Sequence, residues 1–149
     1  MATRVGIISD THGLLRPEVL DILDTCDCIL HAGDVTTENI LDQIRYKGRL
    51  YVVRGNNDGM WARGIARTLQ FKIEDLEFFM VHDQHDAGPE SLKADVFIFG
   101  HSHHYSQNVV GGQLCLNPGS CGWPRFGGDV TMAVMEINQK NYTVQKIIL

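Results

Sequence analysis

The chain has 149 residues, 44% of them apolar, with a formal charge of −5 and four cysteines. That length fits one domain over residues 1–149, with a core large enough to need no disulfides, and the negative charge argues against a nucleic-acid backbone as partner. No run approaches the ~20 apolar residues of a membrane span and no apolar leader precedes the first strand, so a soluble, cytoplasmic protein with no membrane contact is expected.

In chain order, the β-branched run at residues 5–9 predicts a strand. Pro17 and Glu18 open a helix over 17–25, with Val19, Leu20, Ile22 and Leu23 on one face. Residues 28–31 form a second strand. A helix capped by Thr36 or Thr37 runs to Tyr46 with Ile40, Leu41 and Ile44 inward and Gly48 at its end, and 50–53 is the third strand. This alternation implies parallel pairing with right-handed crossovers. The second half changes pattern. Residues 68–74 and 77–82 read as a hairpin around Asp75-Leu76, and a short helical stretch near 89–93 precedes a strand at 95–99. Residues 107–110 and 113–117 flank Gly111-Gly112, a strong two-residue turn, and 130–137 pairs with 141–148 across 138–140. Parallel units followed by hairpins predict an α/β sandwich of two stacked sheets with helices outside. The exposed apolar edge of the last hairpin suits a homodimer. No Cys-x-x-Cys occurs, so the cysteines read as reduced structural thiols; Cys121, just after a turn, is expected at the surface.

Residues able to bind metal stand where these strands end: Asp10 and His12 after the first, Asp34 after the second, Asn56 after the third, His82 after the fifth, and His101 and His103 after the sixth. The carboxyl edge of an α/β sheet is where such folds bind ligands. If the chain stays extended past Ile8, Asp10 and His12 point the same way. Asp10 and Asp34 end adjacent parallel strands, and two converging carboxylates repel unless a cation sits between them. Carboxylate, amide and imidazole donors without thiolate suit manganese first, or zinc, iron, nickel or cobalt. The set reads as a centre for two divalent metal ions.

The order D-x-H, G-D, G-N-x-D, a strand-end His and G-H-x-H resembles the calcineurin-like metallophosphoesterases. Gly55-Asn56-Asn57-Asp58 and Leu116-Asn117-Pro118-Gly119-Ser120 resemble their small bacterial and archaeal phosphodiesterase branch, to which the retromer scaffold subunit of eukaryotes is related. The resemblance implies a four-layer αββα sandwich of two mixed sheets. It implies one ion held by Asp10, His12, Asp34 and His103, and a second by Asp34, Asn56, His82 and His101, with Asp34 bridging. It further implies hydrolysis of a small-molecule phosphodiester or phosphomonoester by a metal-bridging hydroxide, the alternative being a non-catalytic scaffold for protein–protein contact.

Two positions depart from the family pattern. The wider family has a His after the metal-binding Asn; here it is Asn57, which could itself donate to the phosphate. The branch commonly has His-Gly-His where this chain has His82-Asp83-Gln84, leaving His85 as an alternative ligand. Asp83 and Asp58 could orient ligands or backbone. Arg125, after Trp123-Pro124, could hold a phosphate oxygen bidentately. Trp61 and Trp123 either border the substrate cleft or anchor loops.

Overall fold

A computed structural model describes residues 2–124 and 128–149; the expectation for Arg125 therefore lies outside the described residues. The elements are β1 (Thr3–Ile8), α1 (Pro17–Leu23), β2 (Cys28–His31), α2 (Glu38–Ile44), β3 (Arg49–Val52), β4 (Thr68–Ile73), β5 (Leu76–Val81), β6 (Val96–Ile98), β7 (Ser106–Val110), β8 (Gln113–Asn117), β9 (Thr131–Asn138) and β10 (Asn141–Ile148). They form two mixed five-stranded sheets, ordered β10-β9-β1-β2-β3 and β4-β5-β6-β8-β7. Strands β1, β2 and β3 are parallel, as are β5, β6 and β8. None of the described helices is long and apolar enough to cross a membrane.

Alternation along each strand builds the layers. Val5 and Ile7 of β1, Leu30 of β2 and Met135 of β9 face Phe78, Met80, Ile98 and Leu116 of the other sheet, making the inter-sheet core. Each such side chain, fully buried, contributes about 1.5–3 kcal/mol of transfer free energy. On the outer face of the first sheet, Ile8, Ile29 and Val134 pack against Val19 and Leu23 of α1 and Ile40, Leu41 and Ile44 of α2. The outer face of the second sheet presents Phe79, Val81, Phe97 and Phe99, packed against Ala87 and Ala94. That layer is thin, made of 3-10 turns at Gln84–Asp86 and Pro89–Lys93 rather than an α-helix. The architecture is the expected α/β sandwich.

Local details differ from the sequence reading. The β4–β5 turn falls at Glu74-Asp75, so Leu76 pairs with Ile73 and both are buried in the inter-sheet core. Glu74 takes the left-handed conformation (φ 53°) that a two-residue turn demands. Its carboxylate is held there by the Thr3 hydroxyl and the Gln139 N–H. Both helices are shorter than their apolar pattern. Thr37 caps α2 with extended backbone but without a side-chain bond, and Thr36 before it is left-handed (φ 71°) with its N–H donating to Asp58. Cys121 is fully buried in the helix-side core, not exposed, and burial pushes its thiol pKa up to about 12. All four cysteines are free.

Candidate metal centre

The topology decides where the donors meet. The carboxyl ends of β1, β2 and β3 and those of β5, β6 and β8 open on one edge of the sandwich, and each predicted donor follows one of these ends. The convergence does not come from extended chain beyond β1. Asp10, His12, Asp34, His101 and His103 all adopt left-handed backbone, at φ 55°, 46°, 57°, 75° and 63°. Asp and His tolerate this conformation better than most residues, but several in one place is the kind of strain that a functional site retains.

Neighbouring loops hold these turns. The N–H groups of Asp10 and His12 donate to the carbonyls of Gly33 and Asp34, at 2.9 and 3.1 Å. The Ser120 hydroxyl donates to the Asp10 carbonyl, and Trp123 Nε1 donates to the His12 carbonyl. Trp123 thus acts as a loop anchor, and Arg16 clamps the same segment through the Gly122 carbonyl. Asp58 accepts from the N–H groups of Thr36 and Gly55, tying the loop after β2 to the loop after β3. The Asn117 amide donates to the Gly100 carbonyl and the Ser102 hydroxyl, which fixes the loop after β6.

At the centre, Asp10 Oδ1 lies 3.7 Å from His12 Nε2, 3.7 Å from His82 Nε2 and 3.4 Å from His103 Nε2. Asp34 Oδ2 lies 3.5 Å from His12 Nε2 and 3.2 Å from His82 Nε2. Two groups follow whose donor atoms all lie within 4.8 Å of one another: Asp10, His12 and His103, and Asp10, Asp34 and His82. Asp10 belongs to both, while Asp34 reaches across from His82 to His12, so each carboxylate stands between the two halves. The His12 and His103 rings stack at 5.1 Å.

Orphaned atoms test whether a cation fits. Asp10 Oδ1, His12 Nε2 and His82 Nε2 are buried without a hydrogen-bond partner. His82 Nδ1 lies 2.8 Å from the Ala32 carbonyl. A carbonyl only accepts, so Nδ1 bears the proton and Nε2 turns toward the carboxylates, the arrangement of a ligating imidazole. Burial opposes ionisation of Asp10 and Asp34, yet surrounding imidazoles and donors outweigh it and hold both carboxyls below the usual range. Burial likewise opposes charge on His82, and the two carboxylates more than offset it. The pocket is organised around positive charge, and its donor set fits a divalent ion.

The other predicted residues take distinct places. Asn56 and His101 line a cavity of about 280 Å³ that also contacts His82. His101 sits edge-on to the His82 ring and 3.7 Å from Asp83 Oδ2. Asn57 donates its backbone N–H to Asp34 Oδ1 and its side-chain amide to Asp34 Oδ2, both at 2.9 Å, so it positions that carboxylate. His85 lies outside the cluster, its ring 84% exposed and its Nδ1 on Asp83 Oδ1. Two supports escaped the sequence reading. Ser9 donates to Asp10 Oδ2. His31, fully buried, accepts from the Gly33 N–H at Nδ1, which leaves Nε2–H to donate to Thr11, 3.1 Å away. Its place in Cys-Ile-Leu-His-Ala-Gly-Asp, a polar residue closing an apolar strand, was the available signal.

Gly55 shows how tight the cage is. A Cβ there would overlap the Asp34 carboxylate and stand 2.5 Å from its backbone N. Gly55→Ala should therefore displace Asp34 and weaken metal retention on the order of 10–100-fold. Elemental analysis after dialysis, beside an unchanged circular dichroism spectrum, checks this; undiminished metal content would contradict the packing described.

An α/β sandwich that gathers carboxylates and imidazoles from both sheets at their carboxyl edges is built to bind a metal ion. Residues 3–140 match the calcineurin-like phosphoesterase superfamily domain, and the chain belongs to that family. It is 32% identical over 148 residues to a probable metallophosphoesterase of Methanothermobacter thermautotrophicus, covering 90% of this chain and 86% of the relative. It is 27% identical over 162 residues to a phosphodiesterase of Methanocaldococcus jannaschii, covering 93% and 96%. Among solved structures, wild-type Vps29 of Entamoeba histolytica in complex with Zn²⁺ superposes with a TM-score of 0.77 at 25% identity, covering 98% of this chain and 99% of that one.

Proposed function

We propose that this chain is a dinuclear metal-dependent phosphoesterase that prefers small phosphodiesters. The observation that carries the reading is the set of buried, unpartnered atoms Asp10 Oδ1, His12 Nε2 and His82 Nε2 facing one another at the carboxyl edge of two sheets. Asp10, His12, Asp34 and His103 would hold one ion, and Asp34, Asn56, His82 and His101 the other, with manganese first among the metals. When bound, such a pair supplies an activated water and neutralises charge developing at phosphorus. The chain's own residues do the rest. Asn57 fixes the Asp34 carboxylate, while Ser9 and the His101 N–H fix Asp10 Oδ2 and leave Oδ1 for the centre. Arg125 would grip a phosphate oxygen. With Asn57 where the wider family has an imidazole, leaving groups that need little protonation are favoured. The four free thiols support a reducing, cytoplasmic setting.

The test is hydrolysis of bis(4-nitrophenyl) phosphate and 4-nitrophenyl phosphate by protein stripped with chelator and reloaded with Mn²⁺ or Zn²⁺. Metal-dependent turnover, faster on the diester, is the expected result. A second reading, a non-catalytic scaffold, draws on the likeness to Vps29 and on Asn57. Stoichiometric metal binding with no turnover of either substrate would favour it.

A further inference from the structure

The cavity beside His82 and His101 has a second wall that the metal centre does not use. Arg54 and Arg67 both line it. They meet there because the Arg54 N–H donates to the carbonyl of Ala66, at 3.0 Å, which docks the segment before β4 on the loop after β3. Arg54 Nε is buried without a hydrogen-bond partner, and among the described residues neither guanidinium forms an ion pair. Neither of the two acids on the same cavity forms an ion pair with them. Asp83 is engaged by the His85 N–H and Nδ1, at 3.0 and 2.9 Å, and faces His101, while Asp86 is exposed at the rim. A guanidinium cannot shed its charge. That of Arg54, half-buried with its Nε unpartnered, costs free energy that a bidentate anion recovers, and exposed Arg67 adds a second positive charge on the same cavity.

We infer that Arg54 and Arg67 form a subsite for a second anionic group of the substrate, a phosphate or carboxylate on the ester arm that does not leave. This rests on the phosphoesterase reading, with the scissile phosphate at the Asp10–Asp34 cluster and one ester arm in the Arg54–Arg67 cavity. The substrate class it defines is a phosphodiester carrying an additional anion close to the scissile phosphorus. The metal centre then positions one phosphate while the arginines select among its esters, the separation of chemistry from recognition that gives specificity.

The test compares three 4-nitrophenyl diesters whose second arm is ethyl, 2-carboxyethyl or 2-phosphonooxyethyl, on the Mn²⁺-loaded protein. The wild type should show higher kcat/KM for an anionic arm than for ethyl, and the better of the two identifies the anion. In R54Q and R67Q the anionic-to-ethyl ratio should fall about tenfold, as expected for loss of a charge-assisted hydrogen bond. Arg67 is exposed, so its variant guards against misfolding of the other. A ratio that does not move in either variant, or a wild type indifferent to the arm, overturns the inference. Should none of the diesters be hydrolysed, inorganic phosphate titrated into metal-free protein still decides. A shift of the Arg54 Nε–H resonance, lost in R67Q, upholds the anion site while the hydrolytic reading fails; no shift removes both.

Discussion

Replacing Asp34 with Asn should abolish turnover of bis(4-nitrophenyl) phosphate, with a loss on the order of 10³-fold or more, and release metal. The substitution changes almost no volume, so the fold has no reason to change. What changes is the sign of one atom's interaction. Asp34 Oδ2 faces His12 Nε2 at 3.5 Å and His82 Nε2 at 3.2 Å, and both its oxygens accept from Asn57. An amide has one acceptor where the carboxylate has two. With its oxygen on the Asn57 N–H, its NH₂ faces the Asn57 amide, which must flip to accept from it, and the anion that stood between the two halves of the cluster is gone. Elemental analysis and a hydrolysis assay report the outcome together. Full activity of the variant with added Mn²⁺ would show that Asp34 does not stand between two ions, and the dinuclear reading would fall.

The donors themselves were legible because each is a polar residue closing an apolar run, and strand ends in a parallel sheet share an edge. Asp10, His12, Asp34, His82 and His103 are brought together as that logic demands. The mechanism of convergence was not legible. The expectation that Asp10 and His12 stay extended fails because Asp10, His12 and Asp34 all turn left-handed, a conformation their side chains permit but do not announce. Supports drawn from distant segments were equally hidden. The Ser120 hydroxyl reaches the Asp10 carbonyl across 110 residues of sequence, and the Thr131 hydroxyl reaches the Pro118 carbonyl to brace that loop. Periodicity reports which face of an element is buried, not which loop crosses it. Cys121 illustrates the same gap: a residue after a turn reads as surface, but the loop folds back over the helix-side core. The arginines of the neighbouring cavity lie 13 positions apart, and nothing in their spacing signals that Arg54 and Ala66 are hydrogen-bonded neighbours.

Buried His31 should make metal-free protein lose about 3 kcal/mol of stability between pH 7 and pH 4. Burial, against weaker opposing attraction from Asp58 and Asp10, lowers its pKa from 6.5 to about 4. The native bonds explain why the ring stays neutral: Nδ1 must accept from Gly33 while Nε2–H serves Thr11, and a second proton would break the first. Between these two pKa values the unfolded chain binds a proton that the native state does not, so stability rises with pH across the window of about 4 to 6.5 and is lost as pH falls through it. Each pKa unit is worth about 1.4 kcal/mol, which sets the size of the effect. His82 contributes in the opposite sense, since its raised pKa adds stability at low pH that fades as pH rises through it, and the depressed carboxyls of Asp10 and Asp34 lose theirs at more acidic pH. A comparison with His31→Gln separates them. Gln can accept from Gly33 and donate to Thr11 without titrating, so the difference between the two proteins isolates residue 31. Urea unfolding in chelator at pH 7, 6, 5 and 4 should give a difference that narrows steadily toward acid in favour of the variant. Parallel curves for the two proteins would mean that His31 is not held neutral between the loops that carry Asp10 and Asp34.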